Sequence, residues 1–365
     1  MRVRGIDPGK LARLRAATQL LNRPVSAKDP AAIARAIAGA QAQDVYAGPL
    51  TFRSRSRGLT AADIRRARTE ERSLLRTWVM RMTIHMLPTE DAGWWLPLFE
   101  PGIERWSRRR LEQLGLPAAK QERALAVIAK ALAGEGPLTR TEARERVSAA
   151  GIKLTSQTGM HLALTAVVSG IACLGPDRGA QACLVRREDW LGRQAKFDRD
   201  RSLAELARVY LSAFAPASDR DFAYWSGLPL RDVRVGLEAI SSEIEEVRVG
   251  EEVMLSMRGA RARLPATGQV RMLGNFDTYL LGWKDRRFSV ADEHELHVKE
   301  GGGGWIRPVI VEDGIVVGGW RSKRADGRLE IELNLSKRDL ARLESKIEKE
   351  VADIARFEGM ETRII

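Results

Sequence analysis

The chain has 365 residues, 44% hydrophobic and 30% charged, which is enough to bury ordinary cores in about two to four domains and excludes global disorder. Sixty Lys and Arg outweigh 48 Asp and Glu, and the formal charge of +12 points to a polyanionic partner. With two cysteines, Cys173 and Cys183, no apolar leader and no apolar run near about 18 residues, secretion and membrane spanning are excluded, and a soluble cytoplasmic protein is expected.

Only twelve of the sixty basic residues are lysines, so the positive charge is mostly the planar guanidinium that suits phosphate and guanine. Codon bias in a GC-rich genome raises arginine too, so this skew decides little alone. Two cysteines cannot build a zinc finger, and the pair His294 and His297 lacks companion ligands. No structural metal is expected.

Apolar spacing predicts helices over about 10–21, 31–38 and 44–55, then a Thr60-capped helix over 61–69. Strands are expected at 74–79 and 83–87, with Met80-Arg81-Met82 as the turn of a short ribbon. Helices followed by a two-stranded wing form the winged-helix pattern. The order recurs with helices at 121–132, 139–150 and 156–169 and strands at 171–175 and 182–186 around the turn tetrad Pro176-Asp177-Arg178-Gly179. A third copy has helices at 202–214, 218–225 and 229–240 and a hairpin at 244–249 and 252–256.

Beyond Pro265 the pattern changes to short alternating strands at 270–273, 305–311, 315–320 and 329–335, with Asp313-Gly314 as a two-residue hairpin turn. The run Gly301 to Gly304 reads as a loop. Ser336 caps an amphipathic helix over 338–357, with Leu340, Leu343, Ile347, Val351 and Ile354 on one face. The expected fold is α+β: winged helices over 1–118, 119–200 and 201–265, then a β-barrel-like domain with a terminal helix over 266–365.

The segment Gly39-Ala40-Gln41-Ala42-Gln43-Asp44 stands out as two glutamines among small residues, just before a helix start. On residue physics alone it reads as a polar connection with Gln43 or Asp44 as a cap. A carboxamide takes no proton at neutral pH, so the glutamines are not a general base pair, although they can aim a water. His85 alternates with apolar residues in a strand and reads as a structural histidine; proton transfer is the rival role. Arg53, Arg55, Arg57, Arg65, Arg66 and Arg68 place six guanidinium groups around the expected recognition helix, where phosphate contact is favoured over solvated charge. Arg81 in the ribbon turn has the same sign, and Arg108 to Arg110 extend it. Trp94, Trp95 and Trp106 read as core, and Cys173 and Cys183 as buried small hydrophobes.

Four stretches together resemble the AlkZ and YcaQ family of bacterial winged-helix DNA glycosylases. They are Gln41-Ala42-Gln43-Asp44, Arg76-Thr77-Trp78 through Asp91, Phe276 through Arg286, and Arg307-Pro308-Val309-Ile310-Val311 through Arg321. The resemblance spans nearly the whole chain. It implies three tandem winged helices and a C-terminal β-barrel around a concave DNA channel, and it carries the catalytic signature onto Gln41 and Gln43. Some relatives end that signature in Asp. Here the position is Gln43, nearer the AlkZ-like subgroup, with Asp44 and His85 as auxiliary candidates.

The implied reaction is monofunctional hydrolysis of N7-alkylated purine nucleosides, bulky adducts and interstrand crosslinks included, in base excision repair. The implied partner is duplex DNA; no cofactor, metal or obligate protein partner is implied, and a monomer is expected. Arg53, Arg55, Arg57, Arg65, Arg66, Arg68 and Arg81 would grip phosphates, and a hairpin turning at Asp313 and Gly314 would approach a groove. The rival from another class is a winged-helix transcriptional regulator without catalysis, which the charge suits equally. A family member that binds lesions without releasing a base is a third alternative.

Overall fold

A computed structural model describes residues 4–26, 29–179, 181–194, 196–260, 264, 266–298 and 305–365. The run Gly301 to Gly304 lies outside them. Helices and strands both contribute cores, so the fold is α+β as expected. The chain forms two compact units, one of residues 66–202 and one joining 1–65 to 203–365. These lines differ from the four segments expected from element order.

In the 66–202 unit, strands Leu74–Trp78 and Ile84–Pro88 pair antiparallel, with Leu74 opposite Pro88 and Trp78 opposite Ile84. Their connection at Met80–Met82 is tight, with Arg81 and Met82 at φ of 53° and 59°, which costs non-glycine residues strain. The second hairpin, Ala172–Arg178 with Gln181–Arg186, joins the first where Arg76 lies opposite Leu174. The two expected wings thus share one sheet. Helix Ala92–Gln113 leads to helices Ala118–Glu135, Arg140–Ala149 and Ser156–Val168. Reciprocal capping boxes at Thr139 with Glu142 and Thr155 with Thr158 start the last two, each satisfying orphan backbone donors. Leu111, Leu125, Ile128, Val147, Leu162, Val167, Leu174 and Leu184 form this unit's core. Cys173 and Cys183 are buried free thiols, and burial pushes Cys173 up to about 12, the behaviour of an inert core residue.

In the other unit, helices Arg199–Phe214, whose first turn precedes the unit, Asp219–Ser226 and Leu230–Ala239 lead to the hairpin Ile244–Val249 with Glu252–Met257. Strand Arg4–Ile6, too short to leave a period in the sequence, adds to it in parallel. Tyr210 stacks on Phe222 at 4.6 Å and donates to the Gly282 carbonyl at 2.9 Å, while Trp283 donates through Nε1 to the Phe214 carbonyl at 3.0 Å. Those contacts bind this helical part to the segment around residue 280.

The C-terminal sheet has five strands, ordered Glu361–Ile364, Arg328–Asn334, Ile315–Ala325, Val309–Glu312 and Val270–Leu273. The order is linear, so the sheet is open rather than a closed barrel. Its first pair is parallel and the rest antiparallel. The strand expected from Trp305 starts only at Val309, after Pro308, which cannot donate to a ladder. Helix Lys337–Glu358 is capped by Ser336 and buries Leu343, Ile347, Val351, Ile354 and Phe357; Leu340, expected on that face, is 40% exposed.

Two buried ion pairs hold the N-terminal segment to this C-terminal region. Arg55 donates to both oxygens of Asp277, at 2.7 and 2.9 Å, with both side chains fully buried. Arg53 donates to Glu350 at 3.0 Å, to Asp353 at 3.0 Å and to the Met272 carbonyl at 2.6 Å. Both arginines were expected at phosphates. The structure assigns them inside the protein, because each finds carboxylates that satisfy a guanidinium better than an interior without partners would.

Replacing Asp277 by Ala should strand the Arg55 charge and destabilise the chain by about 3–5 kcal/mol, whereas Arg57→Ala on the surface should change stability by less than about 0.5 kcal/mol. Urea unfolding of the two variants beside the parent measures both. Similar midpoints for the two would show that the buried pair contributes no more than a surface charge.

Candidate active site

The glutamine segment is set by how the preceding helix ends. Asp29 caps helix Pro30–Ala36 by accepting from the Ala31 and Ala32 amides. Past Ile37 the chain enters the left-handed region at Ala38 and Gly39, with φ of 60° and 86°. The Gly39 amide donates back to the Ala34 carbonyl at 2.7 Å, which closes the helix end. Glycine fits there because a side chain would be strained at that φ.

The reversal sends Ala40–Gln41 out as an extended pair. Ala40, Gln41 and Ala42 are buried, while Gln43 is exposed. The small alanines let the backbone pack inside and bring the second carboxamide to the surface.

Asp44 closes the segment. Its Oδ1 accepts from the Tyr46 amide at 2.8 Å and the Ala47 amide at 3.1 Å, at the start of helix Ala47–Arg53. Its Oδ2 accepts from Asn275 Nδ2 at 3.1 Å. Both oxygens therefore have structural partners in the turn that leads into the helix, whose own N-cap residue, Tyr46, makes no side-chain cap bond. Asn275 is brought close because Gly274 lies against the helix: a Cβ there would sit 3.3 Å from the Ala47 carbonyl oxygen. Sequence reasoning missed Asn275, although it adjoins the Phe276 stretch that carried the family resemblance.

His85, in its own unit, is 3% exposed, and its Nδ1 lies 3.2 Å from the Thr83 carbonyl oxygen. Burial first, and the Arg81 charge second, push it from 6.5 to about 3, against the weaker pull of that carbonyl. The imidazole is neutral at physiological pH, in keeping with a structural role.

The arginine cluster divides. Arg53 and Arg55 are internal, as described. Arg68 pairs with Asp177 at 2.9 Å and Arg66 with Glu71 at 2.8 Å. Arg57 and Arg65 are exposed and Arg81 is half-buried. The Asp313-Gly314 turn forms as expected, with φ of 52° and 87°, but it is not a free tip. Asp313 accepts from the Gly268 and Gln269 amides at 2.7 and 2.9 Å, and the Gly314 carbonyl accepts from the Tyr279 hydroxyl at 2.6 Å. A Cβ at Gly314 would lie 2.4 Å from the Ala12 carbonyl oxygen. This turn is wedged against the protein and does not project as the free tip that entry into a DNA groove needs.

Among the described residues no cluster of three or more His, Cys, Asp or Glu could hold a metal ion, and no helix is long and apolar enough to cross a membrane.

The family model described as "DNA glycosylase AlkZ-like" matches residues 34–357. An interstrand DNA cross-link repair glycosylase of Streptomyces sahachiroi is 32% identical over 311 residues, with 79% of this chain and 80% of the relative covered. The solved structure of Streptomyces sahachiroi DNA glycosylase AlkZ superposes with a TM-score of 0.79 at 26% identity, covering 99% of this chain and all of that one.

The depressed His85 fixes a pH dependence. Its folded value of about 3 lies below the unfolded 6.5, so the neutral form stabilises the fold. That contribution is complete above about pH 6.5 and is lost as pH falls toward about 3. His85→Gln should flatten the decline of Tm over that window relative to the parent. Parallel thermal melts from neutral to acid pH read it; identical slopes would mean that His85 is not held neutral.

Proposed function

Given that the chain belongs to the AlkZ-like DNA glycosylase family and is accordingly a DNA repair glycosylase, we propose that it hydrolyses the N-glycosidic bond of N7-alkylated purines, interstrand crosslinks included, with Gln41 and Gln43 at the reacting centre. The observation that carries this reading is the family match over residues 34–357 together with the placement of the motif, Gln41 buried in an extended pair and Gln43 exposed, while Asp44 accepts from the Tyr46 and Ala47 amides and from Asn275. The printed description of the Streptomyces sahachiroi relative as a cross-link repair enzyme supports the crosslink part.

Two carboxamides suffice because of the substrate. Alkylation at N7 puts a positive charge on the purine, so the base departs neutral and needs no general acid. What remains is to hold a water at C1′ and to stabilise an oxocarbenium-like sugar. The carbonyl oxygens of Gln41 and Gln43 can accept from the water and turn their negative ends toward the developing charge. The water oxygen bonds to C1′ as the C1′–N9 bond breaks, the electron pair goes to the base, and the surplus proton passes to solvent.

For DNA, the three runs of helices each followed by a hairpin are read as winged helices, whose arginines hold phosphates without reading sequence.

Gln43→Ala should lower the rate of base release by roughly 10²- to 10³-fold. Asp44→Ala, which removes the acceptor of the Tyr46 and Ala47 amides, should cost about 1 kcal/mol of stability with the rate nearly kept. The assay is a labelled duplex with one N7-methylguanine or one nitrogen-mustard crosslink, cleaved at abasic sites by alkali. No product from the parent on both duplexes removes the substrate reading; equal product from parent and Gln43→Ala displaces the site.

A further inference from the structure

Immediately beside the glutamine segment lies a cavity of about 400 Å³, a size suited to a drug-like group rather than to a water cluster. It is built wholly within the unit that carries the glutamines. Leu50, Trp320, Leu329 and Ile354 give it an apolar floor, and these side chains are almost fully buried. Asp44, Asn275, Arg324 and Glu358 supply its polar rim.

Tyr46, three residues after Gln43, lines the mouth and is 59% exposed, unusual for a tyrosine with an apolar cavity at its side. The Arg324 guanidinium lies over its ring at 4.8 Å and is held by Glu358. A flat aromatic surface is thus kept in place next to the motif.

Charge identifies the class of occupant. Two carboxylates, Asp44 and Glu358, face one guanidinium, Arg324, so this rim is acidic in a chain of net charge +12. A phosphodiester would be repelled there, and an aliphatic chain would leave the aromatic walls and the rim's hydrogen-bonding groups unused. A planar aromatic group with a few polar atoms satisfies both.

Resting on the substrate reading above, we propose that this cavity receives the planar aromatic arm that a bulky alkylating agent leaves on purine N7. The arm slides against Tyr46 and over Trp320 while the purine stays at the glutamines. Simple methyl adducts do not reach it. The cavity then sets preference among lesions, and Gln41 and Gln43 set the chemistry.

The test compares duplexes carrying one N7-methylguanine or one aflatoxin B1–N7-guanine adduct, with the parent chain, Ser322→Trp, which plugs the mouth, and Tyr46→Ala. The ratio of kcat/KM on the aromatic adduct to that on the methyl adduct should fall by about tenfold or more in both variants, the size of one lost stacking contact. A ratio that stays within about twofold of the parent's in both overturns the proposal. Binding of free aflatoxin B1, followed by its own fluorescence, gives a readout independent of turnover. Saturable binding weakened by about tenfold in Ser322→Trp is expected. No saturable binding, or equal affinity in the variant, counts against the cavity. Should the parent cleave neither duplex, the substrate reading fails, and the fluorescence titration still decides the cavity.

Discussion

The bidentate pair of Arg55 and Asp277 is the constraint on which the candidate site depends. The partners are 222 residues apart and both are out of water. Removing two charges from solvent costs several kcal/mol per ion, and the cost is offset only where the geometry is good and the remaining lone pairs and protons are used. Arg55 also donates to the Thr51 carbonyl, Ser54 Oγ and Gln19 Oε1, and Asp277 also accepts from the Tyr279 amide. Arg55 follows the helix Ala47–Arg53, which the Asp44 turn leads into. The pair therefore fixes the far end of that helix against the C-terminal region, as the Asp44 contact with Asn275 fixes its near end. A slip at either end would move the two glutamines, which suits a site that works by aimed dipoles and has no strong acid or base to compensate for poor aim.

The same arrangement explains why a basic protein spends arginines internally. Arg53 with Glu350 and Asp353 makes a second cross-connection from the same helix, and Glu350 also accepts from Arg271 and the Met272 amide. Arg15 is buried as well, 4.4 Å over the Trp283 ring and donating to the Pro216 carbonyl. Guanidinium groups tolerate such places because they are weakly hydrated, planar and rich in donors. Net charge is consequently a poor map of the nucleic-acid face, since several of the most prominent arginines act as struts.

This is where the sequence was hardest to read. The helices and hairpins were legible because caps and apolar spacing are local signals: Thr139, Thr155, Ser218 and Ser336 all cap helices. The glutamine motif was legible because two carboxamides between alanines are unusual at a helix junction. The burial of Arg53 and Arg55 was not, because their carboxylates lie hundreds of positions away and nothing local distinguishes a strut from a phosphate ligand. Asp313-Gly314 misled for a related reason. The dipeptide specifies the turn, but its exposure depends on Tyr279 and on the backbone at Ala12, which no local pattern announces.

On the proposed chemistry, discrimination against undamaged DNA needs no selective pocket. An ordinary purine leaves as an anion unless a proton reaches it, and glutamine side chains have none to give at neutral pH. His85 is kept neutral by burial and by Arg81, and so is no acid in that range either. A motif of this kind would be inert toward normal bases however closely they approached, while an N7-alkylated base brings its own positive charge. Recognition can then be left to backbone grip and to whatever the lesion carries beyond the purine, which is compatible with a substrate still tethered to the opposite strand. A carboxylate in place of Gln43 would stabilise the oxocarbenium more strongly. With a substrate that already carries its charge, the weaker dipole of a carboxamide is sufficient.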